Sequence, residues 1–534
     1  MRNLTYACTL LLLAASTATG AVPIEVGRVD IGGGKDPGGI DADGNFTYIV
    51  RRPSADAELY VLDSGTEAWG FPDVAGSPQV VGSMEIRAGA NDVTAVNDTL
   101  FIAARDRTEE LLIVDVSDRT SPVRAAGLDL PSRKEALSIH ADREGVVLLG
   151  TKRDSREAEL HRIDASNPLA PVLDSSYETD AHVTGIAVIG DRAYVLVEED
   201  VEILVFDLST PGSLPLVESF DLPGRGHSEG IAVANGLLYV VVDGRINTDD
   251  FFVLDPGGSG LTIIGQTHVS VRSVDVAVHK HLAYVAIGLG GAGLGVVDVS
   301  DPTNPMLRST QQTASAGIAV VTSGPYVRLA TESNNEELEV YDPALPMRIQ
   351  DRNGDGEIFL AALGDSNTFF VWTPSWGAQL DQRGRVAHPE FRAITWARPG
   401  ATAVDTGKPE LATAFGQLDV ALPREPDAVV LAFGTNDLGV ATVPEIIDAY
   451  VQLDDLIQAA GSRTFIAKAP PCFNHYTAKI EALNAALDAT FPADVVIDFH
   501  TTMRQADYGH GCHMNLRAQT LRANAVYERL LFEP

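Results

Sequence analysis

"IVDVSDRTSPV" at residues 113–123 and "VVDVSDPTNPML" at residues 296–307 follow one plan: an apolar run closes on an aspartate, and a turn rich in Ser, Pro, Asn or Thr follows. The phrase returns as "YVLDSGTEAW" (60–69), "RIDASNPLAPV" (162–172), "VFDLSTPGSLPLV" (205–217), "FVLDPGGSG" (252–260) and "VYDPALP" (340–346). Its aspartates are Asp63, Asp115, Asp164, Asp207, Asp255, Asp298 and Asp342, separated by 52, 49, 43, 48, 43 and 44 residues. Most copies are preceded by a second strand pattern, as in "HVTGIAVIGDRAYVLVEED" (182–200), where short β-branched runs alternate with Gly, Asp or Asn turns. Each period therefore supplies about four short strands, which make one propeller blade. Seven periods predict a seven-bladed β-propeller over residues 22–346. The repeated aspartate reads as a turn-former that accepts backbone N–H bonds, and none of the seven is assigned to chemistry.

This phrase resembles the LVIVP-type repeat of extracellular bacterial propellers. The resemblance implies a binding platform, and the sequence does not specify its partner.

At 534 residues the chain exceeds what one hydrophobic core organises, so more than one domain is expected. Residues 1–21, "MRNLTYACTLLLLAASTATGA", read as a signal peptide: an Arg, an apolar run, then small residues suited to cleavage. Export implies a secreted or periplasmic protein. No later stretch approaches the roughly 20 apolar residues of a transmembrane helix, so no membrane anchor is expected. Cys8 leaves with the signal, and the remaining pair, Cys472 and Cys512, is expected to form a disulfide in an oxidising compartment. With 73 acidic against 39 basic residues, the net charge of −34 repels nucleic acid and anionic membranes.

The junction, residues 347–357, carries "DRNGDGE". Asp351, Asn353 and Asp355 stand at positions 1, 3 and 5 of a calcium-loop pattern, with Gly356 at 6 and Glu357 at 7. Position 12 is Ala362, where the bidentate Glu of an EF-hand would stand. Two readings stand side by side: a structural Ca²⁺ completed by ligands from elsewhere, or an Asp/Asn/Gly turn joining two domains. Neither reading gives catalysis a cofactor.

From 358 to 534 strand and helix alternate. "EIFLAALGDSNTF" (357–369), "RAITWARPG" (392–400), "DAVVLAFGTND" (427–437), "RTFIAKAPP" (463–471) and "DVVIDFH" (494–500) read as five buried strands with helices between them. That predicts an α/β/α sandwich with a five-stranded parallel sheet, whose site lies beyond the carboxyl ends of the strands. The polar motifs fall at those ends. "GDSN", "RPG", "GTND" and the histidine-bearing tail "DYGHGCHMN" (507–515) together resemble the SGNH, or GDSL-type, hydrolase family. Asn367 stands where the family commonly has Leu.

The resemblance implies a serine esterase acting through an acyl-enzyme on carboxylic esters, among them acetylated glycans and lipids. Ser366 maps to its nucleophile. The backbone N–H groups of Ser366 and Gly400 and the side chain of Asn436 map to its oxyanion donors. Asp365 is a structural member of the turn, and His475 and His500 read as structural. Two registers compete for the base. In one, Asp507 and His510 fill Asp-x-x-His; in the other His513 is the base, followed by Met514, Asn515 and a terminal helix. Helix docking favours His513. His510 then occupies the family's carboxylate position, leaving Asp507, a main-chain carbonyl or a Cys472–Cys512 tether to orient the imidazole. The missing carboxylate also motivates a competing class, a surface interaction or adhesion protein whose hydrolase domain is weakened or inactive.

Overall fold

The computed structural model describes residues 23–32, 36–44, 46–54, 56–63, 78–198, 202–223, 227–243, 248–258, 260–289, 292–323, 326–343, 348–368, 375–407, 412–471, 477–501, 503, 508–510 and 513–530. The expected signal peptide, Cys472, His475, Asp507 and Cys512 lie outside them.

Seven four-stranded antiparallel sheets form a seven-bladed propeller between Ile24 and Asp342. Six are built from consecutive strands, beginning with Pro37–Asp43, Phe46–Arg51, Leu59–Asp63 and Gln79–Met84. The seventh takes Gly317–Ser323, Tyr326–Thr331 and Leu338–Asp342 from the end of the ring and Ile24–Val29 from its start. Ile24 pairs with Asp342 and Val29 with Leu338, so the first strand closes the last blade. Hydrogen bonds between the two ends of the repeat segment thus hold the ring shut.

The third strand of every blade ends on one of the seven aspartates. Oδ1 of Asp115, Asp207 and Asp298 accepts the N–H two residues on at 2.8 Å, and that of Asp164 does so at 3.0 Å. These are the turn bonds that the repeat predicts.

At the centre of the ring, carboxylates reach from one blade to the next. Asp41 Oδ2 accepts the Ala95 N–H at 2.7 Å, Asp92 Oδ2 that of Ile139 at 2.9 Å, and Asp275 Oδ2 that of Val320 at 2.8 Å. Enclosure by the inner strands outweighs these bonds and pushes Asp41 and Asp275 up to about 6 and Asp92 up to about 7.

The C-terminal domain holds a parallel sheet of β1 (Ile358–Gly364), β2 (Phe391–Ala397), β3 (Ala428–Ala432), β4 (Arg463–Ala467) and β5 (Val496–Ile497), in the order β2-β1-β3-β4-β5. Its helices are α1 (Trp376–Ala387), α2 (Ala414–Ala421), α3 (Val443–Ala459), α4 (Thr477–Thr490) and α5 (Leu516–Leu530). Alternate residues of β1 face opposite layers, as a strand's period of two requires. Leu360 and Ala362 pack with Trp376 and Leu380 of α1 and Val526 and Tyr527 of α5. Ala361 and Leu363 pack with Leu418 of α2, Tyr450 and Leu453 of α3 and Leu483 of α4. The first of these cores runs on into the propeller through Tyr284, Val296, Leu329 and Tyr341.

Because its folded pKa is raised, Asp92 contributes stability that is present below its unfolded value, about 3.9, and is lost as pH rises through about 7. Asp92→Asn is therefore expected to shift the thermal midpoint relative to the parent in the variant's favour between pH 4 and pH 8. Calorimetry of both proteins across that range checks it, and a pH-independent difference would contradict it.

Candidate active site

β1 breaks at Gly364. A Cβ there would lie 2.0 Å from Thr368 Oγ1 and 2.9 Å from the Ala432 carbonyl, so glycine alone lets the turn pack this closely. Its backbone is held on both sides by the fully buried Gln417 of α2. The Gly364 N–H donates to Gln417 Oε1 and the Gly364 carbonyl accepts from Gln417 Nε2, each at 2.9 Å.

The turn that follows is buried at Asp365, Asn367 and Thr368, while Ser366 between them is partly exposed. Asp365 shapes it: Oδ1 accepts the Asn367 N–H at 2.8 Å and its carbonyl accepts the Thr368 N–H at 3.1 Å. The sequence assigned Asp365 to this structural place.

The three other expected site elements have separate origins. Gly400 sits in an exposed turn after β2, at φ +77°, a left-handed conformation that suits glycine. Asn436 follows β3, and its Nδ2 donates to the Ala401 carbonyl at 3.0 Å and lies 3.4 Å from Asp365 Oδ2. One amide group thus touches the residue before Ser366 and the residue after Gly400. The GDSN, RPG and GTND blocks meet at that nitrogen.

His510 and His513 stand in one hairpin. Strands β6 (Tyr508–His510) and β7 (His513–Met514) pair antiparallel, with His510 opposite His513 and Tyr508 opposite Met514. The two competing registers therefore occupy facing backbone positions. Asn515 then caps α5, its Oδ1 accepting the Ala518 N–H at 3.1 Å. His513 lies two residues before that cap, and α5 reaches back to the serine turn: Gln519 Nε2 and Arg522 Nη1 both donate to the Asn367 carbonyl at 2.9 Å.

Sequence reasoning missed four supporting residues. Asp437, fully buried, binds the Val404 N–H at 2.9 Å and the Gly434 N–H at 3.1 Å, joining the third block's loop to the second's. Burial nevertheless holds its carboxyl above the usual range. Gln417, Gln519 and Arg522 are the others. The signal for the last two was a polar pair three residues apart, which share one helix face.

His500 Nδ1 lies 3.2 Å from the Ala469 carbonyl, a structural contact at the end of β5. In the junction, Asp351 accepts the N–H groups of Gly354 at 2.7 Å and Gly356 at 2.8 Å. Asn353 Nδ2 donates to Asp355 Oδ2 at 2.9 Å, and Glu357 pairs with Arg392 at 3.4 Å. Those bonds shape the turn. Among the described residues, no group of three or more His, Cys, Asp or Glu is arranged to hold a metal. Among those residues, too, no helix is long and apolar enough to cross a membrane.

Residues 362–521 match the GDSL-like Lipase/Acylhydrolase family. Residues 89–126, 181–222 and 272–313 match the LVIVD repeat, whose closing letter corresponds to the aspartate of the third strand, as in "LLIVD" at 111–115. The C-terminal domain is thus a GDSL-like hydrolase domain behind a propeller that contains LVIVD repeats. No curated protein matches the chain. Among solved structures it is similar to Raptor of Chaetomium thermophilum, at 11% identity over 60% of this chain and 28% of that one, with a TM-score of 0.47. It is also similar to the WD40 β-propeller domain of Doa1 (11% identity, 62% and 98% covered, TM-score 0.45). A third is virginiamycin B lyase of Staphylococcus aureus (11% identity, 59% and 97% covered, TM-score 0.44).

Gln417→Leu leaves the buried Gly364 N–H without its acceptor, which costs about 1–3 kcal/mol. Denaturant titration should show the hydrolase domain's transition moved to lower denaturant; an unmoved transition would contradict the clamp.

Proposed function

We propose that the protein is an exported serine esterase that cleaves carboxylic esters of short acyl groups through an acyl-enzyme, with the propeller as its binding module. Ser366 Oγ attacks the ester carbonyl carbon as His513 takes its proton. The carbonyl oxygen becomes an oxyanion that accepts hydrogen bonds from the backbone N–H groups of Ser366 and Gly400 and from Asn436 Nδ2, which gives up its long 3.4 Å contact with Asp365 Oδ2 to do so. Collapse expels the alcohol, which leaves with the proton held by His513. Water, deprotonated by the same imidazole, then attacks the acyl-Ser366 ester and releases the acid. A disulfide between Cys472 and Cys512 would fix the histidine hairpin beside the end of β4.

The observation that carries this reading is the Asn436 amide, which ties the flank of Ser366 to the flank of Gly400. A hydroxyl flanked by preset donors is what acyl transfer needs, since such donors stabilise charge that appears only in the transition state. The capped helix two residues beyond His513 supports its choice over His510. Acetylated glycans fit the class of short acyl ester, and the absence of a long apolar insertion in the sequence favours short over long chains.

With p-nitrophenyl acetate, Ser366→Ala should abolish turnover, and Asn436→Ala should lower kcat by about 10²–10³-fold with the protein folded. Equal rates for the parent and Ser366→Ala would overturn the reading in favour of a binding protein with an inactive hydrolase domain.

A further inference from the structure

α5 is gripped at both ends by different parts of the molecule. At its C-terminal end the partners are the propeller and the junction that follows it. The hydroxyl of the buried Tyr527 donates to Oδ2 of the equally buried Asp342 at 3.0 Å. Lys280, in the turn between two strands of the sixth blade, donates its Nζ to the Glu528 carbonyl. The Arg348 N–H donates to the Leu530 carbonyl at 2.6 Å. Val526, Tyr527 and Leu530 share one apolar core with Leu282, Tyr284, Val296, Leu329 and Tyr341 of the propeller.

Nearer its N-terminal end the partner is the serine turn. Besides the two bonds to the Asn367 carbonyl, Gln519 Oε1 accepts the Trp376 N–H at 3.1 Å, and the Arg522 guanidinium stacks over Phe499 at 4.2 Å. Gln519 and Tyr527 are eight residues apart, about 12 Å along a helix. A helix bonded through its length moves as a unit, so a shift at Tyr527 is carried to Asn367, next to Ser366, and to the cap next to His513.

Asp342 is one of the blade aspartates, and its Oδ2 receives a phenol from the hydrolase domain. Burial and the carboxylate hold the Tyr527 hydroxyl well above its ordinary value, so it stays a donor at any working pH.

We infer that the propeller sets the geometry of the catalytic turn through α5, with Tyr527 and Asp342 as positioning residues for the hydrolytic reaction. The inference rests on the esterase reading for its kinetic consequence, while its mechanical part stands apart from it. A substrate or surface that engages the propeller near the sixth and seventh blades would act on kcat through the same helix.

Tyr527→Phe removes one hydrogen bond and keeps the ring in the core. Asp342→Asn keeps an acceptor for the phenol and serves as the conservative control. In the full-length protein, Tyr527→Phe should lower kcat for p-nitrophenyl acetate about tenfold with KM within about twofold, because a small misplacement of reacting groups is felt in the bound complex. Asp342→Asn should retain most of the rate. Amide hydrogen exchange over 358–368 should quicken in Tyr527→Phe and remain near the parent in Asp342→Asn. Unchanged exchange and unchanged kcat in a folded Tyr527→Phe would overturn the inference. A parent without esterase activity whose Tyr527→Phe variant still exchanges faster at 358–368 would sink the esterase reading and uphold the coupling.

Discussion

The terminal helix Leu516–Leu530 is buried between the parallel sheet and the propeller, and the geometry of the site depends on that double burial. A helix in that place should be apolar on both contact faces, yet this one buries Gln519 and Arg522 almost completely. Buried polar groups are stable only when their hydrogen bonds are met. Gln519 meets its bonds with the Asn367 carbonyl and the Trp376 N–H, and Arg522 gives one to the same carbonyl while its guanidinium stacks over Phe499, so burial is turned into a fixed distance between the last helix and the first strand's turn. Distant parts of the sequence are in this way held in one arrangement before any substrate arrives.

Around that helix the two domains solve different closure problems. The propeller must join its ends, and it does so with six residues of Ile24–Val29 laid along the last blade. The hydrolase domain must bring together loops from the ends of three strands, and it does so with single side chains: Gln417 on Gly364, Asn436 on Ala401 and Asp437 on Val404. Each of these replaces a backbone partner that the loops cannot supply themselves. Asp437 shows the expense of the device, because burial pushes its carboxyl above the usual range in spite of the amides it accepts.

Much of this was legible from the residues. The repeated aspartate marked the end of every third strand, since a strand that stops in a tight turn needs an acceptor there. Alternation of strand and helix gave the sheet and its five members, and "GDSN" and "GTND" marked the ends of its first and third strands. What stayed hidden acts across long separations in ordinary sequence. Nothing in "IEVGRV" announces pairing with residues 338–342, and Gln417 and Gln519 look like surface helix formers until the carbonyls and amides they bind are known. "DRNGDGE" leaves its two readings side by side, because oxygens spaced for a cation are equally well spaced to hold the N–H groups of a turn. His510 and His513 fall in one hairpin, with Asn515 capping the helix directly after it.

The central claim is that Ser366 is a preset nucleophile in a hydrolase site held together by α5. It is tested most directly by treating the full-length protein with a fluorophosphonate ester and locating the adduct by peptide mass mapping. A single stoichiometric phosphonyl group on Ser366, absent from Ser366→Ala, is the expected result. No adduct on the folded protein, or an adduct that survives Ser366→Ala, would contradict it.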